Sequence, residues 1–396
     1  MAHLYVNRKG FEVTRNSYSA GSEFRTCKRK YKLRRLEGWR EKENKASREF
    51  GKCVESAIQF YHQSEKRTGN AVKEFVRLWQ FFANDETLTY TDREGSWADL
   101  ARMGEEMLTL YEIREPFLPM GQSPRFQLNY VKEVFPNLVF AEDALDLSGI
   151  DESDFIDVTT EVPGTHPLLP KLDFPPETRP LVIDIKTSST TLPDIAGIAA
   201  LDPQLREYAW ISGIRDVAFL WFVKSRSDSF KKGDRVSVLR HENSQGDHRW
   251  AGQEVRVLFA DDEFVYTAKD ADFEAYSQDV AAVKGKALDA KKATWATRED
   301  VRGFSPSLLT KCRIQFVAGT VLIDDLKDIG EEIGRTVHGI HEANTADYWP
   351  QQPGIRFPDT KCLLCPFLGN CTNNKELRDA KVERTNTDWI EEMEDE

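Results

Sequence analysis

Three cysteines stand within ten positions of one another late in the chain, in Cys362-Leu-Leu-Cys365-Pro-Phe-Leu-Gly-Asn-Cys371, and no fourth cysteine follows them. Centres built on cysteine thiolates, whether zinc or iron–sulfur, take four ligands. A group held at this triplet must therefore draw its fourth ligand from far upstream, which would clip distant parts of a 396-residue chain together. Cys27 and Cys312 are the two upstream candidates; Phe304-Ser-Pro-Ser-Leu-Leu-Thr-Lys-Cys312 echoes the Tyr18-Ser-Ala-Gly-Ser stretch ahead of Cys27. Cys53 sits among Phe50, Val54, Ala57, Ile58 and Tyr61 at helical spacing and reads as a small buried apolar residue. Six cysteines in so long a chain are not a secreted disulfide framework, so a reducing, cytosolic setting is expected.

The formal net charge of −12 argues at first against a polyanionic partner, but its distribution argues otherwise. Residues 25–40 read Arg-Thr-Cys-Lys-Arg-Lys-Tyr-Lys-Leu-Arg-Arg-Leu-Glu-Gly-Trp-Arg, a dense basic stretch around Cys27. The bland reading is a solvated helix face; the neighbouring cysteine and aromatics favour a contact surface for phosphates. Residues 381–396 form an acidic tail expected to be disordered. No run approaches the roughly 20 apolar residues of a membrane span, and the first residues lack the apolar stretch of a signal peptide.

Hydrophobic periodicity predicts helices over 17–40, 50–65, 72–82 and 97–111, then a break at Phe117, Pro119, Gly121 and Pro124. Strands are expected at 126–134 and 138–140, an acidic irregular stretch over 142–161, and a short extended segment at Lys171–Phe174. After the turn residues 175–180 comes the apolar strand Leu181–Lys186, a helix over 203–211 and a strand over 217–223. Residues 225–250 read as loop, 254–259 and 263–267 as a hairpin, and 270–295, 305–319 and 321–342 as helices. The expected organisation is one elaborated α/β domain over 1–380. It comprises a helical insertion at 66–125, a sheet core at 126–223, a second insertion at 225–300, and C-terminal helices with the cysteines at 301–380.

Within the core, Asp184 and Lys186 are two apart on a strand, so alternation puts both side chains on one face. Asp173, on the extended segment before the turn, is the first choice for a second carboxylate; Asp151, Asp146 and Asp157 are its rivals. Two such acids suit a hard, oxygen-loving cation that polarises a phosphate and acidifies a water. Lys186 would orient that water and offset developing charge. Downstream, Gln204 and Tyr208 stand at i and i+4, on one face of the expected helix.

In that order, Asp173, Asp184-Ile185-Lys186, Gln204 and Tyr208 resemble the RecB-type branch of the PD-(D/E)XK nuclease superfamily. Cys27, Cys362, Cys365-Pro366 and Cys371 are similar to the sub-branch whose iron–sulfur cluster is held by one N-terminal and three C-terminal cysteines. That sub-branch includes CRISPR-associated four-cysteine exonucleases, AddB nuclease domains and phage exonucleases. The resemblance implies a restriction-endonuclease-like fold, a central mixed sheet flanked by helices, with the cluster stapling N- and C-terminal segments. It implies a Mg²⁺ or Mn²⁺ ion at Asp173, Asp184 and the backbone of Ile185, and catalysis by Asp173, Asp184 and Lys186. Gln204 and Tyr208 would bind substrate, and a structural [4Fe–4S] cluster would sit on the four cysteines, with Zn²⁺ as the other metal four thiolates could take. The family often carries histidine in Gly-x-x-x-His on the first core helix; here Gly51-Lys-Cys-Val-Glu55 puts Glu55 there as a metal ligand.

The activity so implied is exonucleolytic hydrolysis at or near DNA ends, in the cytoplasm of a bacterial or phage-infected cell, with a helicase or recombination protein as a further partner. The alternatives are an endonuclease, a nuclease subunit of a larger DNA-processing complex, and a non-catalytic DNA-binding protein that keeps the fold. The intact Asp184-Ile185-Lys186 argues against the last.

Overall fold

The computed structural model describes residues 4–6, 12–64, 66–91, 95–134, 151–193, 195–224, 230–238, 253–260, 264–277, 293–297, 309–310, 312–351, 361–363 and 365–384. Strands β1 (Leu4–Val6) and β2 (Glu12–Asn16) open it, followed by helices α1 (Tyr18–Thr26) and α2 (Lys28–Tyr31) and a π-helical turn at Lys32–Leu36. The short β3 (Trp39–Glu41) and β4 (Asn44–Lys45) lead into α3 (Ala46–Gln63), α4 (Asn70–Trp79), β5 (Leu88–Thr89) and α5 (Trp97–Arg114). The core strands β6 (Arg125–Glu133), β7 (Asp151–Pro163) and β8 (Thr178–Ser188) come next, then α6 (Pro203–Ser212) and β9 (Asp216–Val223). A second set follows: β10 (Arg235–Val238), β11 (Glu254–Ala260), β12 (Phe264–Ala268), α7 (Phe273–Ser277), β13 (Ala293–Thr297) and β14 (Leu309–Thr310). The chain returns to the core with β15 (Arg313–Thr320) and α8 (Ile323–Thr345), then α9 (Leu368–Cys371), α10 (Lys375–Lys381) and β16 (Val382–Arg384).

The central sheet is mixed, ordered β1-β2-β7-β8-β9-β15 with β6 also paired to β7. Parallel pairing of β8 with β9 requires a crossover, and α6 supplies it. One face of the sheet (Leu181, Ile183, Ile185, Leu220, Phe222) packs on α3, α4 and α5. The other (Val182, Val217, Phe219) packs on α6 and α8. Phe50, Phe75 and Trp79 meet at centroid separations of 5.5–6.2 Å under the first face, and burial of each such ring stabilises by roughly 1.5–3 kcal/mol. The central sheet with helices on both faces has the architecture of a restriction-endonuclease-like fold. No helix among the described residues is long and apolar enough to cross a membrane.

Several expectations change. The stretch 142–161 reads as irregular, yet residues 151–161 of it lie in the long strand β7, where Glu152, Asp154 and Asp157 accept hydrogen bonds within the fold while Ile156, Val158 and Val162 fill the core. Lys171–Phe174 is loop between β7 and β8 rather than a strand partner of β8. Residues 309–310 and 313–320, read as helix, are strands; Ile314 and Ala318 point into the core while β15 pairs along the whole of β9. The long helix expected over 270–295 resolves into the short α7 and the strand β13, with 278–292 outside the described residues. β10 lies in the expected loop, and the sheet β13-β12-β11-β10-β14 carries the second insertion past residue 300 to Thr310. Val382–Arg384, placed in the acidic tail, pair with β3; residues 385–396, like the strand expected at 138–140, lie outside the described residues.

Candidate active site and thiol cluster

The ladder between β7 and β8 runs from Pro163↔Thr178 to Val158↔Ile183, and there the two strands part. Asp157, the next residue of β7, turns its carboxylate across the gap: Oδ2 accepts the Ile185 N–H at 2.8 Å, in place of a ladder bond. Asp184 is fully buried, and its Oδ1 accepts from Lys186 Nζ at 2.9 Å. Its carboxyl also lies within hydrogen-bonding reach of Asp157. Burial drives Asp184 well above the ordinary carboxylate range, with Asp157 adding to the rise and Lys186 opposing it. Lys186 loses from burial but gains more from Asp184, Asp157 and Glu55, so its ammonium form is favoured.

Glu55 enters from α3, one helical turn after Gly51. A Cβ at Gly51 would come within 3.2 Å of Thr187 Oγ1, so glycine lets α3 approach β8 at the site. Burial and then Asp157 push Glu55 up to about 7, against the pull of Gln127 and Lys186. Gln127 is a residue the sequence reading missed. The β6–β7 register runs unchanged from Phe126↔Val158 to Leu128↔Ile156, so Gln127 stands opposite Asp157, and its φ of +50° lies in the left-handed region. Its side-chain amide contacts Glu55 and reaches Asp157 Oδ1 at 3.5 Å. No sequence signal announces a left-handed residue inside a strand when that residue is not glycine.

α6 brings the remaining groups. Asp202 caps it by accepting from the N–H groups of Gln204 and Leu205, Pro203 occupies its first turn, and Gly213 closes it at φ +76°. Gln204 Nε2 donates to Tyr208 Oη at 2.6 Å. Tyr208 is buried, and burial followed by the charges of Asp184, Asp154 and Asp157 holds its phenol protonated. Asp154, also missed, accepts the Tyr18 N–H at the start of α1.

Asp184, Lys186, Glu55, Gln204 and Tyr208 are thus brought together, and Asp173 is not. It is exposed in the loop beyond the Pro163/Thr178 end of the ladder, while Asp184 lies six residues up β8, about 20 Å away along an extended strand. Asp157 stands where Asp173 was expected. The backbone of Asp151 pairs with Arg15 and Glu133 at the far end of β7, and Asp146 lies outside the described residues. Among the described residues no three His, Cys, Asp or Glu converge at metal-ligand spacing; here Asp157 is engaged by Ile185 and Asp184 by Lys186. The donor set nevertheless fits a hard cation, being all carboxylate oxygen, with Asp184 Oδ2 a buried acceptor that has no partner.

Cys27 separates α1 from α2, Cys362 and Cys365 form a turn, and Cys371 ends α9. Burial pushes the Cys371 thiol up to about 11, with Cys365, Cys27 and Cys362 adding to the rise and Arg29 opposing it. Burial likewise raises Cys365, with Lys30 lowering and Cys27 and Cys362 raising it further. Cys365 and Cys371 thus pack on a small core of Leu33, Phe367 and Val382, with Cys27 and Cys362 near enough to act on both thiols. Cys312 is elsewhere, buried in the main core 4.0 Å from Glu106 Oε2, and Cys53 is a core residue as expected. The soft, all-thiolate donor set and its basic flank fit an iron–sulfur cluster. The basic stretch is also partly internal: Lys30, Arg34 and Arg35 all converge on the buried Glu23. It is less open to phosphates than its sequence suggests.

The sequence model of the PD-(D/E)XK nuclease superfamily matches residues 15–372, which hold the whole acid–lysine site and all four thiols. The chain belongs to the PD-(D/E)XK nuclease superfamily. No curated protein matched the sequence. Among solved structures, that described as the crystal structure of SSO0001 is similar at 10% identity, over 46% of this chain and 63% of that one, with a TM-score of 0.17. The chain thus spans less than two thirds of that protein's length, and a likeness of this size carries no argument.

Proposed function

We propose that the protein is a Mg²⁺- or Mn²⁺-dependent deoxyribonuclease that hydrolyses phosphodiester bonds at or near DNA ends, and that Cys27, Cys362, Cys365 and Cys371 hold a structural [4Fe–4S] cluster. The observation that carries the nuclease reading is the meeting of Asp157, Asp184 and Lys186 where β7 and β8 part. Asp157, Asp184 and Glu55 are the side chains that would hold the cation, with Ile185 contributing through its backbone. A cation there polarises a phosphate oxygen and acidifies a water. Lys186, kept as an ammonium by its acidic neighbours, orients the attacking water and opposes negative charge on the phosphate. The Gln204 amide fixes Tyr208 Oη as an acceptor, which leaves the phenol proton free to donate to a phosphate oxygen. Action at ends and work beside a helicase or recombination protein follow from the RecB-type branch that the motifs resemble.

The test uses linear and closed circular single-stranded DNA with Mn²⁺. Linear DNA should be degraded and the circle left intact; cutting of the circle would overturn the exonuclease reading. Lys186→Ala and Asp184→Ala should each abolish cleavage while the visible absorption of the cluster persists. Activity retained in both variants would sink the catalytic assignment.

A further inference from the structure

A second group of buried oxygens lies at the other end of β7. Asn16 closes β2 and stands in parallel register with Glu152. Its Nδ2 donates to Glu152 Oε2 at 2.8 Å. Glu207 reaches the same place from α6, in hydrogen-bonding contact with Glu152. The three side chains are 5%, 0% and 4% exposed, and Asn16 Oδ1, Glu152 Oε1 and Glu207 Oε1 are all buried without a donor. Arg25, the guanidinium whose charge reaches both carboxylates, is itself engaged by Thr336 and Glu332.

A proton shared between the two carboxyls would satisfy Glu152 and Glu207 but leave Asn16 Oδ1 facing no donor. A cation satisfies all three oxygens. The donors are two carboxylates and an amide carbonyl, with no imidazole or thiol, which selects a hard ion. Ligand oxygens around Mg²⁺, at about 2.1 Å from the metal, lie about 3 Å apart from one another, the same spacing as hydrogen-bonded oxygens. The contact between the two carboxyls is therefore one that two ligand oxygens of a single ion can share. Glu152 precedes Asp157 by five residues of extended strand, about 17 Å at the usual rise, so this is not the catalytic centre.

We propose that Asn16, Glu152 and Glu207 form a second, structural site for Mg²⁺ or Mn²⁺ that ties β2 to β7 and α6. The site links the segment leading to Cys27 with the helix that carries Gln204 and Tyr208. It stands independently of the nuclease reading.

The experiment counts bound Mn²⁺ by electron paramagnetic resonance on the full chain, in an Asp184→Asn background that weakens the catalytic centre. That protein should still bind one Mn²⁺, and adding Glu207→Gln should weaken binding about tenfold or more, since affinity follows the count of charged ligands. Asn16→Asp adds a charged ligand and should tighten binding. On the shared-proton alternative the same change instead lowers the thermal midpoint and leaves Mn²⁺ binding unaltered. Circular dichroism confirms folding of each variant; should Glu207→Gln not fold, the sign of the Asn16→Asp effect decides. Equal Mn²⁺ binding in every variant overturns the proposal.

Discussion

Asp157 both caps the Ile185 N–H and lies against Asp184, so its loss should disturb the site in two ways. Asp157→Asn is expected to lower the rate of DNA cleavage about a hundredfold or more, and Asp173→Asn to leave it within twofold; rates on one linear substrate check both. A larger loss from Asp173→Asn than from Asp157→Asn would restore the sequence-based choice. Asp157 stood only among the rivals of Asp173 because eight acids crowd residues 142–161, and the feature that singles one out is the end of a hydrogen-bond ladder. A pH effect belongs at this scale too. Burial and Asp157 hold Glu55 at about 7, and burial holds Asp184 well up. An acid raised in the folded state adds stability below its unfolded value and loses it as pH rises through its folded one. Metal-free protein should therefore lose thermal stability from about pH 4.5 to 7, and Mg²⁺ should offset the loss increasingly across that window. Midpoints measured with EDTA or Mg²⁺ test this; Glu55→Gln should flatten the metal-free slope, and a flat profile in the unaltered protein would refute it.

α6 carries two site residues on ten, so its caps bear on activity. Removal of the Asp202 side chain leaves the Gln204 and Leu205 N–H groups without their acceptor, and Asp202→Ala should cost about 1 kcal/mol by denaturant titration. Because Gln204 and Tyr208 move with the first turns, the variant should also bind DNA less tightly. α6 was legible from its Asp-Pro start and its Gly end, and α3 and α5 from apolar spacing sustained over 18 residues each. β8 and β9 were legible because both of their faces are buried, which leaves nearly unbroken apolar runs. β7 and β15 were not. Glu152, Ser153, Thr159 and Thr160 are buried polar residues that hide the pattern of β7. In β15 the run Arg-Ile-Gln-Phe-Val-Ala-Gly-Thr is compatible with either period, and only its pairing along β9 decides.

At the scale of the whole molecule, the thiol corner unites segments more than 330 positions apart, Cys27 and Cys362 through Cys371. Cys27→Ala and Cys371→Ala should each strip the purified protein of iron, whereas Cys312→Ala, altering a core thiol beside Glu106, should leave it bound. Iron counts on anaerobically purified protein check this; zinc in place of iron would remove the cluster and leave the nuclease core unaffected. The sequence showed that the triplet needs a distant partner and its resemblance favoured Cys27; the fold adds that Cys312 lies in the main core. The β3–β16 pair, Trp39–Glu41 against Val382–Arg384, adds a consequence for synthesis. During translation the early strand emerges with its partner still unmade, and it waits until the strands of the central sheet have been made. The corner where these two segments meet therefore closes only after the late strand exists, so the sheet core can be built before it while the early segment stays unpaired.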